Sequence, residues 1–243
     1  MTYKDVVEKA QKARKNPYGY GKVEYDPCEI WQKGNQINLW TYWQGYQLKD
    51  IDQKGVDILL VGQDWGNPDR NLVVCKIIED IIDGKATTTY DAMASETDRN
   101  LTELFKAFGN NIDISKKDPG MRLFFTNYSL GYREKDQTGG MTKTLMRMDR
   151  ELFKDLVQAV KPKIIICLGQ CTYEVVTGQV TQNFSKQLRK GIPFVSPYPC
   201  DENIVVYGVA HCGSRGRQNV GGLENMRKAW KKIAEDYKMK YGE

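Results

Sequence analysis

Four short apolar runs separated by helix-like segments constrain the fold of this chain more than any other feature. They are VDILLV (Val56–Val61), LFFTNY (Leu123–Tyr128), KIIICL (Lys163–Leu168) and IVVYGV (Ile204–Val209). Short, continuous apolar runs are typical of strands buried on both faces. Strands that alternate with helices form βαβ units, and so a parallel sheet covered by helices. We therefore predict an α/β fold, a three-layer αβα arrangement around a central, mostly parallel four-stranded sheet.

Apolar residues recur at helical spacing between these runs, in segments 71–82, 101–108, 144–160 and about 223–240. Thr97 or Ser95 is a suitable cap for the second helix. The third helix stops before Pro162, because proline cannot continue a helix. The segment 185–201, which contains prolines and glycines, is predicted to be an irregular excursion or a small hairpin.

The first 50 residues differ in character from the rest. A basic amphipathic start is followed by the aromatic-rich stretch Ile30–Tyr46. Large rings commonly fill cores and the contacts between elements, so we interpret these aromatics as packing groups, with base stacking as the alternative. We predict that residues 1–50 form a helical and aromatic extension packed on an α/β domain at 51–243, the whole being a single domain.

Composition leaves the function open. The net charge of +5 permits an anionic partner such as nucleic acid but does not require one. The six cysteines include no CxxC pair, so we expect free thiols, no bound metal and no cofactor, with a metal or iron–sulfur site as the weaker alternative. No apolar run approaches the ~20 residues of a membrane span. We expect a cytoplasmic monomer with no membrane association.

Ligands of open parallel sheets bind in the crevice outside the carboxyl ends of the strands. This rule selects the residues that follow each predicted strand. They are Gly62–Pro68, Asn127–Arg133, Gly169–Tyr173 and Ala210–Asn219.

Three polar side chains in these segments are candidates for function. Asp64 lies between Gly62 and Gly66, which allow the backbone to approach a ligand closely, although Asp64 could instead cap a helix. The Asn127 amide matches the edge of a uracil-type base, or bonds its own backbone in a turn. His211 is the only histidine, and its ring can donate a hydrogen bond near neutral pH; the alternative is an incidental surface position.

A basic, glycine-containing segment follows His211. Ser214, Arg215 and Arg217 lead into a helix N-terminus, which suits contacts to phosphate groups. The alternative interpretation is a solvated loop.

Taken together, these segments resemble the uracil-DNA glycosylase superfamily. Its members carry a GQDPY, GEAPG or GINPG motif, then an asparagine-bearing strand, a PxxIxxLG strand and an H-P-S type loop. The corresponding residues here are Gly62-Gln63-Asp64, Thr126-Asn127, Lys161–Gly169 and His211. The resemblance runs from about Val56 to the C-terminus, and its most specific parts are the GQD triplet and Lys161–Gly169.

The resemblance implies a role for each matching residue. Asp64 would position the hydrolytic water and stabilise positive charge on the sugar, Asn127 would read the base, and His211 would support the departing base as an anion. A base must be extruded or presented single-stranded before it can react. The remaining implied contacts are Gln63, Trp65, Gly66 and Tyr128 to the base, and Arg133, Ser214, Arg215 and Arg217 to the DNA backbone.

The chain also departs from the family pattern. Gly66 replaces the tyrosine of GQDPY that excludes the thymine methyl group, as in the GEAPG and GINPG branches. Cys212-Gly213 replaces the Pro-Ser of the H-P-S loop, and no leucine directly follows His211. The iron–sulfur cysteines of the GEAPG branch have no counterparts; Gly131 lies near the place of one. The chain is therefore expected to be a divergent member.

We expect an enzyme of DNA repair, a DNA glycosylase that hydrolyses the N-glycosidic bond of uracil or a related deaminated base in duplex or single-stranded DNA. One alternative is a non-catalytic nucleic-acid or nucleotide-binding protein that retains the glycosylase fold. Another is a different small-molecule enzyme on the same scaffold, because a fold does not determine a function.

Overall fold

The structure is a computed structural model that describes residues 1–13, 18–20, 23–27, 50–64, 96–109, 121–129, 131–133 and 142–242. Its helices, numbered in chain order, are α1 Tyr3–Ala13, α2 Ile51–Lys54, α3 Glu96–Phe105, α4 Lys143–Arg147, α5 Arg150–Val160, α6 Gln170–Thr177, α7 Phe184–Leu188, α8 Ser214–Asn219 and α9 Leu223–Tyr241. A 3-10 turn, Lys106–Phe108, follows α3. The strands are β1 Tyr18–Tyr20, β2 Val23–Pro27, β3 Val56–Gly62, β4 Leu123–Asn127, β5 Gly131–Arg133, β6 Pro162–Leu168, β7 Phe194–Tyr198 and β8 Asp201–Val209.

The described strands form a central five-stranded sheet in the order β4-β3-β6-β8-β7. The pairs β4–β3, β3–β6 and β6–β8 are parallel, and β7 is antiparallel to β8. All seven residues of β3 are buried, as expected for a strand with a neighbour on each side and helices over the sheet. The prediction of an α/β fold with a mostly parallel sheet is confirmed.

The predicted number of strands is wrong, because β7 makes a fifth. Residues of β7 alternate between exposed and buried positions and include Pro197. This pattern lacks the continuous apolar run of the other strands, and proline is tolerated here because β7 lies at the edge of the sheet. The segment 185–201 thus holds most of α7 and one arm of a β7–β8 hairpin.

The connection from β3 to β4 crosses the sheet towards one side, and the connection from β4 to β6 crosses it towards the other. Because such connections are right-handed, their helices lie on opposite faces of the sheet. On one face, the Phe105 ring packs against Trp230 of α9 with centroids 4.8 Å apart. On the other, α1 packs against α5, and Tyr3 contacts Phe124 of β4 edge-to-face at 5.4 Å. A second described sheet, antiparallel in the order β1-β2-β5, joins the N-terminal residues to β5.

Several helix predictions need adjustment. The predicted helix 144–160 is interrupted at Met148 and Asp149, which divide it into α4 and α5. Thr97 lies inside α3 rather than capping it, because α3 begins at Glu96. The predicted helix 71–82 and the aromatic stretch Ile30–Tyr46 lie outside the described residues.

None of the helices in the described ranges has both the length and the apolar character required to cross a membrane.

A buried carboxylate joins the amino ends of the strands to the last helix. Asp57, 8% exposed, accepts hydrogen bonds from the backbone N–H of Arg122 at 2.7 Å and from the Tyr237 hydroxyl at 3.1 Å. The Lys163 ammonium lies 2.8 Å from the same carboxylate. Because β3, the residue before β4, β6 and α9 all converge on Asp57, this contact holds the four elements at one end of the sheet.

We predict that Tyr237→Phe destabilises the fold by about 1.5–3 kcal/mol, the usual net value of a hydrogen bond to a charged group, because the hydroxyl bonds both Asp57 and Lys163. Urea unfolding measures this loss in the free energy of unfolding. Tyr207→Phe is the matched control, because its hydroxyl reaches the exposed Asp236 at a long 3.4 Å. Equal losses in the two variants would contradict the role given to Asp57.

Candidate functional site

Gly62 ends β3 and lies against the side chain of Asn127, which ends β4. The two residues are paired in the parallel register, and a Cβ atom at position 62 would stand 2.1 Å from Asn127 Oδ1. Only glycine permits so close an approach. Asn127 is 8% exposed, so its amide is held against the β3 backbone at the carboxyl edge of the sheet.

Gln63 and Asp64 continue from β3 and are half-buried. The pairing with the β4 side extends to them, because the Ser129 N–H donates to the Gln63 carbonyl at 3.0 Å. Asp64 lies near the first turn of α6. Burial raises the pKa of the Cys171 thiol there, and the negative charges of Glu174 and Asp64 add to the rise. Asp64 is thus within electrostatic range of the first turn of α6. Trp65 and Gly66 lie outside the described residues.

His211 follows β8 and is held in one tautomer. The backbone N–H of Gly213 donates to His211 Nδ1 at 3.0 Å. A nitrogen that accepts this bond carries no proton, so in the neutral ring the proton is on Nε2. Burial by the surrounding protein lowers the pKa of His211, although part of the residue stays open to solvent. Both effects favour a neutral imidazole that donates a hydrogen bond through Nε2.

The His211 loop is fixed by contacts with its neighbours. A Cβ atom at Gly216 would stand 1.9 Å from the His211 carbonyl oxygen, so only glycine lets α8 turn this close to the loop. Asn100 of α3 donates its amide to the Cys212 carbonyl at 2.6 Å, and Cys212 is fully buried. These contacts set the position of the imidazole before any ligand arrives.

The basic residues of α8 occupy different environments. Arg215 is exposed, and Ser214 is half-buried at the first helical position. Arg217 pairs with Glu96 of α3 at 2.9 Å. Arg217 would therefore have to share its guanidinium between Glu96 and a phosphate group.

The strand order sets the separation between these groups. Asn127 ends β4, Asp64 follows β3 and His211 follows β8, and β6 lies between β3 and β8. Because neighbouring strands are ~4.8 Å apart, the ends of β3 and β8 stand roughly 10 Å apart. The structure thus brings the strand ends that carry Asp64, Asn127 and His211 to one edge of the sheet.

Tyr128 and Arg133, a predicted base contact and a predicted DNA-backbone contact, come after Asn127 in the chain. Tyr128 is 2% exposed, and its ring packs on Phe153 of α5 with centroids 4.6 Å apart. Its ring contacts the α5 helix, whereas the Asn127 side chain lies over Gly62, so the structure does not bring these two side chains together. Arg133 belongs to β5, in the smaller sheet.

Sequence reasoning missed the groups that hold the His211 loop, namely Asn100, the Gly213 N–H and the Gly216 contact. In the sequence, Gly213 and Gly216 beside the single histidine indicate a close backbone contact in this loop. The sequence does not indicate the contact with Asn100, which is 111 residues before His211 in the chain. Over the described ranges, no three His, Cys, Asp or Glu side chains converge in a way that could hold a metal ion.

No protein-family model matches the chain, and no curated protein matches it.

We predict that Gly62→Ala destabilises the fold by about 1–3 kcal/mol, the usual effect of adding a methyl group to a packed position. Because the collision is with Asn127 Oδ1, combining it with Asn127→Ala should recover part of the loss. Urea unfolding of the two single variants and the double variant forms the cycle that measures this coupling. Strictly additive losses would show that the collision is not the cause.

We predict that Gly213→Pro raises the pKa of His211 relative to Gly213→Ala. Proline removes the N–H that stabilises the neutral ring, its fixed φ near −65° fits the −75° of Gly213, and alanine controls for the added side chain. The single histidine gives one imidazole signal, so an NMR pH titration reads its pKa directly. Identical pKa values in the two variants would contradict the Nε2–H assignment.

Proposed function

We propose that this protein is a DNA glycosylase that hydrolyses the N-glycosidic bond of uracil or a related deaminated base. One observation carries the proposal. His211 is held as a neutral hydrogen-bond donor at the same sheet edge as Asp64 and Asn127. The motifs Gly62-Gln63-Asp64 and Lys161–Gly169, which resemble the uracil-DNA glycosylase superfamily, add to it.

The proposed chemistry separates charge across the site. Cleavage builds positive charge on the sugar and negative charge on the departing base, and groups already in place for each charge lower the barrier. The Asp64 carboxylate would stabilise the sugar cation and position the attacking water. The Nε2–H of His211 would donate to an oxygen of the departing base. Asn127 would recognise the base edge with its amide.

The fixed His211 loop supports this assignment. A donor helps most when it needs no reorganisation during the reaction. The bonds from Gly213 to Nδ1 and from Asn100 to the Cys212 carbonyl hold the ring before substrate binds. A neutral imidazole can stabilise the developing anion through a hydrogen bond, without transferring its proton to the base.

Contacts to the DNA backbone are assigned to α8. Arg215 is exposed and Ser214 lies beside it, so both can reach a phosphate group. Arg217 would contribute once it exchanges Glu96 for phosphate. Binding through these groups should weaken as the salt concentration rises. Arg133, Gln63, Trp65, Gly66 and Tyr128 remain predictions from the resemblance.

The test incubates the protein with single-stranded and duplex oligonucleotides that contain uracil, hypoxanthine or xanthine, and measures abasic sites by strand cleavage in alkali. We predict base release by the wild type and a loss of about 10²–10³-fold in His211→Gln, as for removal of one donor to a developing anion. Asp64→Asn should lose at least as much.

Asp201→Asn is the matched control for Asp64→Asn. Asp201 is an exposed carboxylate at the start of β8, at the opposite end of that strand from His211. Its variant should retain wild-type release. No release from any substrate above the Asp64→Ala background would end the glycosylase proposal. Salt-sensitive DNA binding without release, unchanged in Asp64→Asn, would favour the non-catalytic nucleic-acid-binding alternative.

A further inference from the structure

A cavity lies between α5 and α6, and no residue of the His211 loop lines it. Its volume is about 350 Å³, at the lower end of the ~300–1,000 Å³ range of ligand pockets. One face of α5, the C-terminal half of α6 and the β7–β8 turn line it, together with the Tyr128 ring. We call it the α5–α6 cleft.

Two arginines at this cleft have uncompensated charge. Arg147 and Arg150 line it and are exposed, and neither forms an ion pair with any other residue that the structure describes. Lys154 also lines the cleft but is paired with Glu151 at 2.8 Å. The two arginines lie three positions apart in the chain, at the junction of α4 and α5, and both line the same cavity.

Glu174 is the one carboxylate among the lining residues, and its charge is neutralised by its own partners, so it does not repel an anion in the cleft. Glu174 is 2% exposed and pairs with Lys143. It also accepts hydrogen bonds from Gln170 Nε2 at 2.9 Å and from the N–H and hydroxyl of Thr181 at 2.8 and 2.7 Å. Because its oxygens are occupied by these donors, the charge that faces the cleft comes from the arginines.

Rings and aliphatic side chains form the rest of the wall. Tyr128 and Phe153 pack on each other with an interplanar angle of 31° and both line the cleft. Tyr198 and Val176 continue this apolar wall towards the β7–β8 turn. An arginine pair beside aromatic edges favours a ligand that joins an anionic group to a flat apolar body.

We propose that the α5–α6 cleft is a binding site for a small aromatic phosphate, with Arg147 and Arg150 on the phosphate group and Tyr128, Phe153 and Tyr198 beside the ring. None of Asp64, Asn127 and His211 lines the cleft, so the proposal stands whether or not the protein is a glycosylase. Its volume admits a ligand no larger than about one nucleotide.

Isothermal titration calorimetry with three probes tests the proposal on the full chain. The probes are phenyl phosphate, adenosine 5′-monophosphate and inorganic phosphate. We expect at least one aromatic phosphate to bind tenfold or more tightly than inorganic phosphate, because only the aromatic probes use the apolar wall. If adenosine 5′-monophosphate binds and phenyl phosphate does not, the ligand of the cleft is a nucleotide.

Substitutions at the cleft separate a specific site from general charge. Arg147→Gln and Arg150→Gln should each weaken binding by about tenfold or more, since each removes charged hydrogen bonds to the phosphate group. Arg227→Gln is the matched control, because Arg227 is exposed on α9 and does not line the cleft. Circular dichroism melting of the three variants shows that each is folded. His211→Gln should bind as the wild type, whatever its glycosylase activity.

Alkylation of Cys200 gives a second measurement. This exposed thiol lines the cleft, so a bound aromatic phosphate should slow its reaction with iodoacetamide, as read by peptide mass spectrometry. Three results would overturn the proposal: no binding of either aromatic probe, inorganic phosphate binding as tightly as both, or Arg147→Gln and Arg150→Gln binding as the wild type does.

Discussion

The parallel pairing of β3 with β4 and β6 is the constraint on which the rest of this protein depends. β3 is buried along its whole length, and the residues that follow it and its neighbours become adjacent only because the strands share one direction and one register. A slip of one residue would turn every side chain to the opposite face. Asp57 holds this register at the amino ends, and the contact of Gly62 with Asn127 holds it at the carboxyl ends.

Close backbone approach recurs at the His211 loop. Gly216 lets α8 turn against the His211 carbonyl, and the Gly213 N–H selects the tautomer of the ring. Asn100 of α3 donates a hydrogen bond to the loop, and α3 packs against α9 on one face of the sheet. The packing of that face therefore controls where the single histidine stands and which proton it presents.

Asn127 and Tyr128 show how one strand end serves two regions. The Asn127 side chain lies over Gly62 at the sheet edge, while the Tyr128 ring packs on α5 and lines the α5–α6 cleft. The backbone between them is fixed by the bond from the Tyr128 N–H to the Gly62 carbonyl at 2.9 Å. A change in the β3–β4 register would thus alter the sheet edge and the cleft together.

The sequence by itself determined the four core strands, because continuous apolar runs have few ways to be buried other than in the centre of a sheet. It also placed Asn127 at the end of a strand and Asp64 and His211 just after strands, and the structure brings these strand ends to one edge. The prediction missed β7, whose alternating exposed and buried residues are recognisable as a strand only once it pairs with β8. It also missed the break at Met148 and Asp149 between α4 and α5. Only the tertiary structure decided the tautomer of His211, the ion pair of Arg217 with Glu96 and the direction of the Tyr128 ring. Each of these follows from contacts that the fold creates, and local residue patterns do not encode them.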